Sequence, residues 1–165
     1  MIKKNKPVFL CGFMGCGKTT IGQLLAKRLG TSFIDLDDYI EEQEGMTIPE
    51  IFAQKGEPYF RERESRALAE LPVSAAVVAT GGGTLLRREN GDLAKSLGTV
   101  VFIDTPFELC YERVKDDPHR PIAASSTKEQ LRERFEQRRP LYTENSEFAV
   151  NGSAAPMQIA NEILE

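Results

Sequence analysis

The segment Gly12-Phe13-Met14-Gly15-Cys16-Gly17-Lys18-Thr19 constrains this chain more than any other. It directly follows the apolar run Pro7-Val8-Phe9-Leu10-Cys11 and leads into Thr20-Ile21-Gly22-Gln23-Leu24-Leu25-Ala26-Lys27-Arg28-Leu29. Strand, glycine-rich loop and helix in that order, with the spacing G-x-x-x-x-G-K-[ST], predict a loop built to hold phosphate. The glycines let the backbone curl into a nest of N–H groups at a helix N-terminus, where aligned peptide dipoles favour a di- or triphosphate. Lys18 would reach the β- and γ-phosphates and the Thr19 hydroxyl would bind Mg²⁺. Gly12, Gly15, Cys16, Gly17 and Thr20 complete the expected cradle for ATP. A plain glycine turn is the alternative, but the full pattern arises by accident on the order of once in a hundred chains of this length.

The rest of the chain repeats the alternation of strand and helix. Strand-like runs fall at 8–11, 32–35, 75–79, 99–104 and 147–150, with helical patterns between them. Such an order predicts an α/β fold with a five-stranded parallel sheet flanked by helices. Helix boundaries are marked by Gly30 closing the first helix, Thr47-Ile48-Pro49-Glu50 opening another, Pro106 before the helix 107–115, and the capping box Thr127-Lys128-Glu129-Gln130. The polar, proline-broken stretch 116–126 reads as a mobile loop.

Composition narrows the function classes. The 165 residues suit one domain with a real core. A net charge of -4 argues against a nucleic-acid partner or an anionic membrane surface, both of which want a basic face. Behind the basic start Met1-Ile2-Lys3-Lys4 the apolar stretch is too short for a signal sequence, and no run approaches the roughly 20 residues of a membrane span. Three cysteines without C-x-x-C spacing and a single histidine, His119, leave no zinc constellation, so a reduced, cytoplasmic setting is expected. Cys16, beside a helix N-terminus, is a candidate reactive thiol.

In α/β sheets ligands bind beyond the carboxyl ends of strands. After the second strand stands Asp35-Leu36-Asp37-Asp38, and an extended chain there would put Asp35 and Asp37 on one side. Asp38 reads as the start of a helix over 39–44. The third strand ends in Thr80-Gly81-Gly82-Gly83-Thr84, where many phosphate-loop proteins carry an acid for Mg²⁺, so Asp35 is the best substitute, acting through water. Three residues without side chains at a strand end make either a tight turn or a place where a ligand lies against backbone. Arg61 and Glu64 are three apart on one helix face, so Glu64 would hold the guanidinium, whereas Arg63 and Arg66 read as a solvated face.

Gly12 to Thr19, Asp35-x-Asp37, Gly56-Glu57 followed by Phe60-Arg61, Gly81-Gly82-Gly83, Arg120-Pro121 and Arg138 with Pro140-Leu141-Tyr142, in this order and spacing, resemble the shikimate kinase family from about Val8 onward. The resemblance implies the three-layer fold of nucleoside-monophosphate kinases with a mobile lid at about 114–127 and a substrate-binding segment at about 36–63. It implies transfer of the γ-phosphoryl of ATP to the 3-hydroxyl of shikimate by a monomer. Arg61 and Arg138 would then bind the substrate carboxylate, Asp37 its hydroxyls, and Gly81, Gly82 and Gly83 would line the pocket. Phe52 and Phe60 would form its apolar wall or belong to the core. Arg120 would close over the phosphates, and Arg113 and Pro156 would sandwich the adenine. Lys18, Asp37 and Arg120 are the expected catalytic residues, with Asp37 taking the hydroxyl proton. Another small-molecule kinase, such as a gluconate kinase, and a catalytically silent nucleotide-binding regulator are the alternatives.

Overall fold

The computed structural model describes residues 2–71, 74–117 and 126–165. Its elements run β1 (Val8–Cys11), α1 (Lys18–Leu29), β2 (Ser32–Asp35), α2 (Leu36–Glu44), α3 (Ile48–Lys55), α4 (Glu57–Glu70) and β3 (Ala76–Ala79). A 3₁₀ turn (Thr84–Leu86), α5 (Arg88–Leu97), β4 (Thr99–Asp104), α6 (Phe107–Val114), α7 (Lys128–Glu144), β5 (Phe148–Asn151) and α8 (Pro156–Leu164) follow. The strands form one parallel sheet in the order β2-β3-β1-β4-β5. β1 and β3 are buried along their whole length, as central strands covered on both faces must be. Helix α1 packs on α8 and β3, and α5 and α7 pack on β4.

Local chemistry sets the helix ends. Thr47 and Thr127 each accept from the backbone N–H three residues on, while Glu50 and Gln130 reach back to complete capping boxes. Gly30 ends α1 with its N–H on the carbonyls of Ala26 and Lys27. Several predicted boundaries shift, among them the end of α6, at Val114 rather than Lys115. β3 begins at Ala76 and β5 spans Phe148–Asn151, one residue later than expected, and α2 starts at Leu36 rather than Tyr39. The last shift has a clear cause: the Asp35 carboxylate accepts from the N–H of Asp38 at 3.1 Å and caps the helix there.

This topology brings two loops together. β1 and β3 are neighbours with Leu10 opposite Ala79, so the loop after β1 and the glycine turn after β3 leave the sheet side by side. Thr80 ties them, donating to the Leu10 carbonyl from both its N–H (3.0 Å) and its hydroxyl (2.8 Å). The chain crosses from β3 over β1 to β4, a reversal of strand order that opens a crevice at the carboxyl edge.

Candidate active site

Helix α1, like α8, begins without a side-chain cap or an acid in its first turn, and its N-cap is Gly17. In α2, α3 and α7 an Asp or Thr side chain fills that role. Uncapped N–H groups at a helix start hold positive potential for an anion. Gly15 has φ +80, and a Cβ there would lie 2.8 Å from the Cys110 carbonyl, so only glycine fits. The loop is braced from outside by Arg113, which donates to the Gly15 carbonyl at 2.8 Å, and by Thr105, whose hydroxyl donates to the Cys16 carbonyl at 2.9 Å. Lys18 Nζ donates to the Gly12 carbonyl at 2.6 Å, which holds the ammonium over the loop.

A cavity of about 330 Å³ opens beside this loop, lined by residues 15–21 together with Arg113, Gly152, Ala154, Pro156 and Ile159. The structure thus brings Arg113 of α6 and Pro156 of α8 to one cavity with the phosphate loop. Thr19 and Thr20 stand exposed in the first turn of α1.

The second half of the site is organised by the three glycines. A Cβ on Gly81 would fall 2.6 Å from Asp37 Oδ1, one on Gly82 would fall 3.2 Å from Arg138 Nη1, and one on Gly83 would overlap the Arg61 guanidinium. Each glycine is therefore matched to one charged side chain, from α2, α7 and α4 in turn. The turn is held from behind: Asn90 and Asn145 donate to the carbonyls of Thr84 and Leu85 at 2.9 and 2.8 Å, and Tyr142 donates to that of Gly82 at 2.6 Å. None of these three backing residues carries a motif-level signal for that role; their partners lie 6 to 60 residues away in sequence.

Arg61 donates to Glu64 at 2.7 Å, as the i,i+3 spacing predicts. Glu64 is fully buried, and its second oxygen accepts from the Thr84 hydroxyl at 2.6 Å, so both oxygens are committed. Phe60 is buried under the Arg61 guanidinium at 5.5 Å and meets Phe52 edge-on at 5.1 Å.

Asp37 is the exception to this satisfaction. Its Oδ1 is the one buried side-chain nitrogen or oxygen among the described residues that has no hydrogen-bond partner. Burial pushes its carboxyl up to about 7, the charges of Asp35 and Glu64 add to the rise, and Lys18 opposes it. A buried acceptor left open beside a phosphate site is a place for a ligand hydroxyl.

Four expectations need correction or placement. Asp35 and Asp37 do not share one side of an extended strand, because α2 starts between them; they remain close enough for their charges to interact. Arg63 is not part of a solvated face. It is buried and bonded to Glu44 and Glu70, each at 3.4 Å, while Arg66 is exposed as expected. Cys16 is only 1% exposed, so it is no reactive thiol; its sulfur packs where a Cβ on Gly12 would point. Arg120 and most of the loop 116–126 lie outside the described residues.

Comparison with known proteins points to one family. A family model described as shikimate kinase matches residues 14–165. A shikimate kinase of Persephonella marina is 44% identical over 158 residues, covering 95% of this chain and 96% of that one. The structure of shikimate kinase from Acinetobacter baumannii in complex with shikimate superposes with a TM-score of 0.90 at 39% identity, covering 98% of this chain and 92% of the other. A gluconokinase from Sinorhizobium meliloti reaches a TM-score of 0.53 at 19% identity, covering 97% of this chain and 90% of that one, a likeness of fold alone.

Proposed function

The chain belongs to the shikimate kinase family, and on that premise we propose that it transfers the γ-phosphoryl group of ATP to the 3-hydroxyl of shikimate, giving shikimate 3-phosphate and ADP. One observation carries the reading: an aspartate and two arginines from three different helices meet three consecutive glycines next to a phosphate loop. Shikimate has a carboxylate at one end of its ring and hydroxyls at the other, and the charges of this pocket divide in the same way.

Arg61 and Arg138 bind the carboxylate through paired, charge-assisted hydrogen bonds, and Glu64 keeps Arg61 from turning away. Asp37 accepts from the 3-hydroxyl through its free oxygen and takes the proton as the oxygen attacks phosphorus. The new oxygen–phosphorus bond forms as the bond to the ADP oxygen breaks, and negative charge spreads over the transferring group. Lys18 and the N–H groups of the loop stabilise that charge, and positioning supplies most of the remaining rate. Arg120, carried over from the resemblance, would add a cation from the other side; such arginines are worth about a thousandfold or more. Arg113 and Pro156 hold the adenine.

The residues present fit Mg²⁺. Thr19 offers a hydroxyl, and Asp35 offers the carboxylate oxygen left over from its capping bond. The described residues gather no group of three or more His, Cys, Asp or Glu, so the protein supplies few ligands. That suits an ion which keeps several waters and takes phosphate oxygens. When bound it neutralises charge on the β- and γ-phosphates.

We further propose that the chain works as one domain, as a monomer, in the cytoplasm, without nucleic acid. No helix among the described residues is long and apolar enough to cross a membrane. ADP release from MgATP, followed in a coupled assay with shikimate, gluconate or no acceptor, tests the function. Shikimate-dependent release is expected; gluconate-dependent release, or ATP binding without acceptor-dependent turnover, would overturn it.

A further inference from the structure

Tyr142 lies in the sequence signature yet has no part in the chemistry described so far. Its side chain is 1% exposed, and its ring packs on Phe102 at 5.4 Å. The phenol donates to the Gly82 carbonyl at 2.6 Å, and Arg138 stands four residues earlier on the same helix face, its guanidinium charge acting on the phenol. Gly82 is also the glycine whose Cβ position lies 3.2 Å from Arg138 Nη1 and 4.0 Å from the Tyr142 oxygen. Guanidinium and phenol thus flank the same glycine, the phenol bonded to its carbonyl and the guanidinium against its α-carbon.

The helix by itself does not hold this geometry firmly. Pro140 stands inside α7, between the two residues, and has no N–H for the ladder. Arg138 has a long side chain with several rotamers, and a fixed glycine surface beside it removes part of that freedom before substrate arrives. Burial alone would put a ring in an apolar pocket without asking for a hydroxyl; here the hydroxyl is committed to the Gly82 carbonyl.

We propose that Tyr142 is a positioning residue of the acceptor pocket, its hydroxyl fixing the Gly82 peptide against which the Arg138 guanidinium lies and so setting the angle at which that arginine grips the substrate carboxylate. The inference rests on the assignment of Arg138 to that carboxylate. It predicts a specific kinetic signature, because a pre-set arginine improves acceptor binding and leaves the phosphoryl step alone.

Tyr142→Phe keeps the ring and its packing and removes only the hydroxyl. We expect the KM for shikimate to rise about tenfold, the size of one lost hydrogen bond, with kcat and the KM for ATP each within about twofold of wild type. With the methyl ester of shikimate, which carries no carboxylate charge, the variant and wild type should be equally poor. In an Arg138→Ala background, Tyr142→Phe should add less than about twofold. Equal losses toward shikimate and its ester, or full additivity with Arg138→Ala, would reduce the hydroxyl to a packing role and overturn the proposal. Arg138→Lys, read in the same assay, keeps the charge but loses the fork, and needs no core rearrangement. An unchanged KM for shikimate in that protein would also overturn it. Failure of the functional reading is separate: wild type itself would then release no ADP in response to shikimate.

Discussion

The two halves of the site are built by different means. The phosphate half is a contiguous stretch whose work is done by backbone: glycines at positive φ, an uncapped helix start and one lysine. The acceptor half is made of side chains from α2, α4 and α7, aimed at a glycine turn after β3 that has room for them only because it has no side chains of its own. A backbone site needs only the right loop between a strand and a helix. A site of converging side chains needs the whole fold, and its specificity resides in contacts between residues far apart in sequence.

The strongest challenge to this contrast is Asp37→Asn. The acceptor half should keep its shape, while turnover falls by about a hundred- to ten-thousandfold, the usual contribution of a positioned base. In wild type, kcat/KM should fall as pH drops through about 7, because the carboxyl must be ionised to accept the proton. A variant within tenfold of wild-type turnover, or a limb near pH 4, would remove Asp37 from the chemistry.

Next in size is the support beneath the acceptor half. Glu44 at the end of α2 accepts from Arg63 and Tyr59 of α4 and from Lys55 of α3, so one carboxylate joins the helices that carry Asp37 and Arg61. Glu44→Ala strands the buried Arg63 with only the half-exposed Glu70, and should lower unfolding free energy by about 3 kcal/mol in urea melts. A loss below about 0.5 kcal/mol would mean that the network is idle.

The smallest effect concerns the cost of the Asp37 environment. A carboxyl raised in the folded state binds more protons folded than unfolded, so its favourable contribution is complete below its ordinary pKa near 4 and is lost as pH rises through about 7. Asn has no charge to bury. Without ligands, Asp37→Asn should therefore melt about 3 °C or more above wild type at pH 8 and close to it at pH 4. The reverse order at pH 8 would mean that the carboxylate is well solvated in the folded protein.

The same division explains what was legible in the sequence. The loop 12–19 and the strand–helix alternation follow from local pattern, and the capping boxes at Thr47 and Thr127 occur as read. Asp37 and Arg61 stand out by their place after a strand and by the spacing to Glu64, but their convergence with Arg138 on one substrate follows only from the family resemblance, since spacing alone does not place them on one turn. Arg63 was misread because helix-face reasoning sees charge and not Glu44, 19 residues away. Cys16 was misread because a loop at a helix N-terminus suggests exposure, whereas its sulfur packs beneath Gly12. Tyr142 belongs to the family signature, but its role is not legible there, as its partner carbonyl lies 60 residues back.

The central claim is that the halves are separable, one of backbone and one of convergent side chains. Calorimetric titration of MgADP and of shikimate, each alone, into wild type and an Arg61→Ala/Arg138→Ala double variant tests it most directly. Shikimate affinity should fall at least about a hundredfold, the loss of two charge-assisted contacts, while MgADP affinity stays within about twofold. Comparable losses for both ligands, or shikimate binding that survives the double substitution, would contradict it.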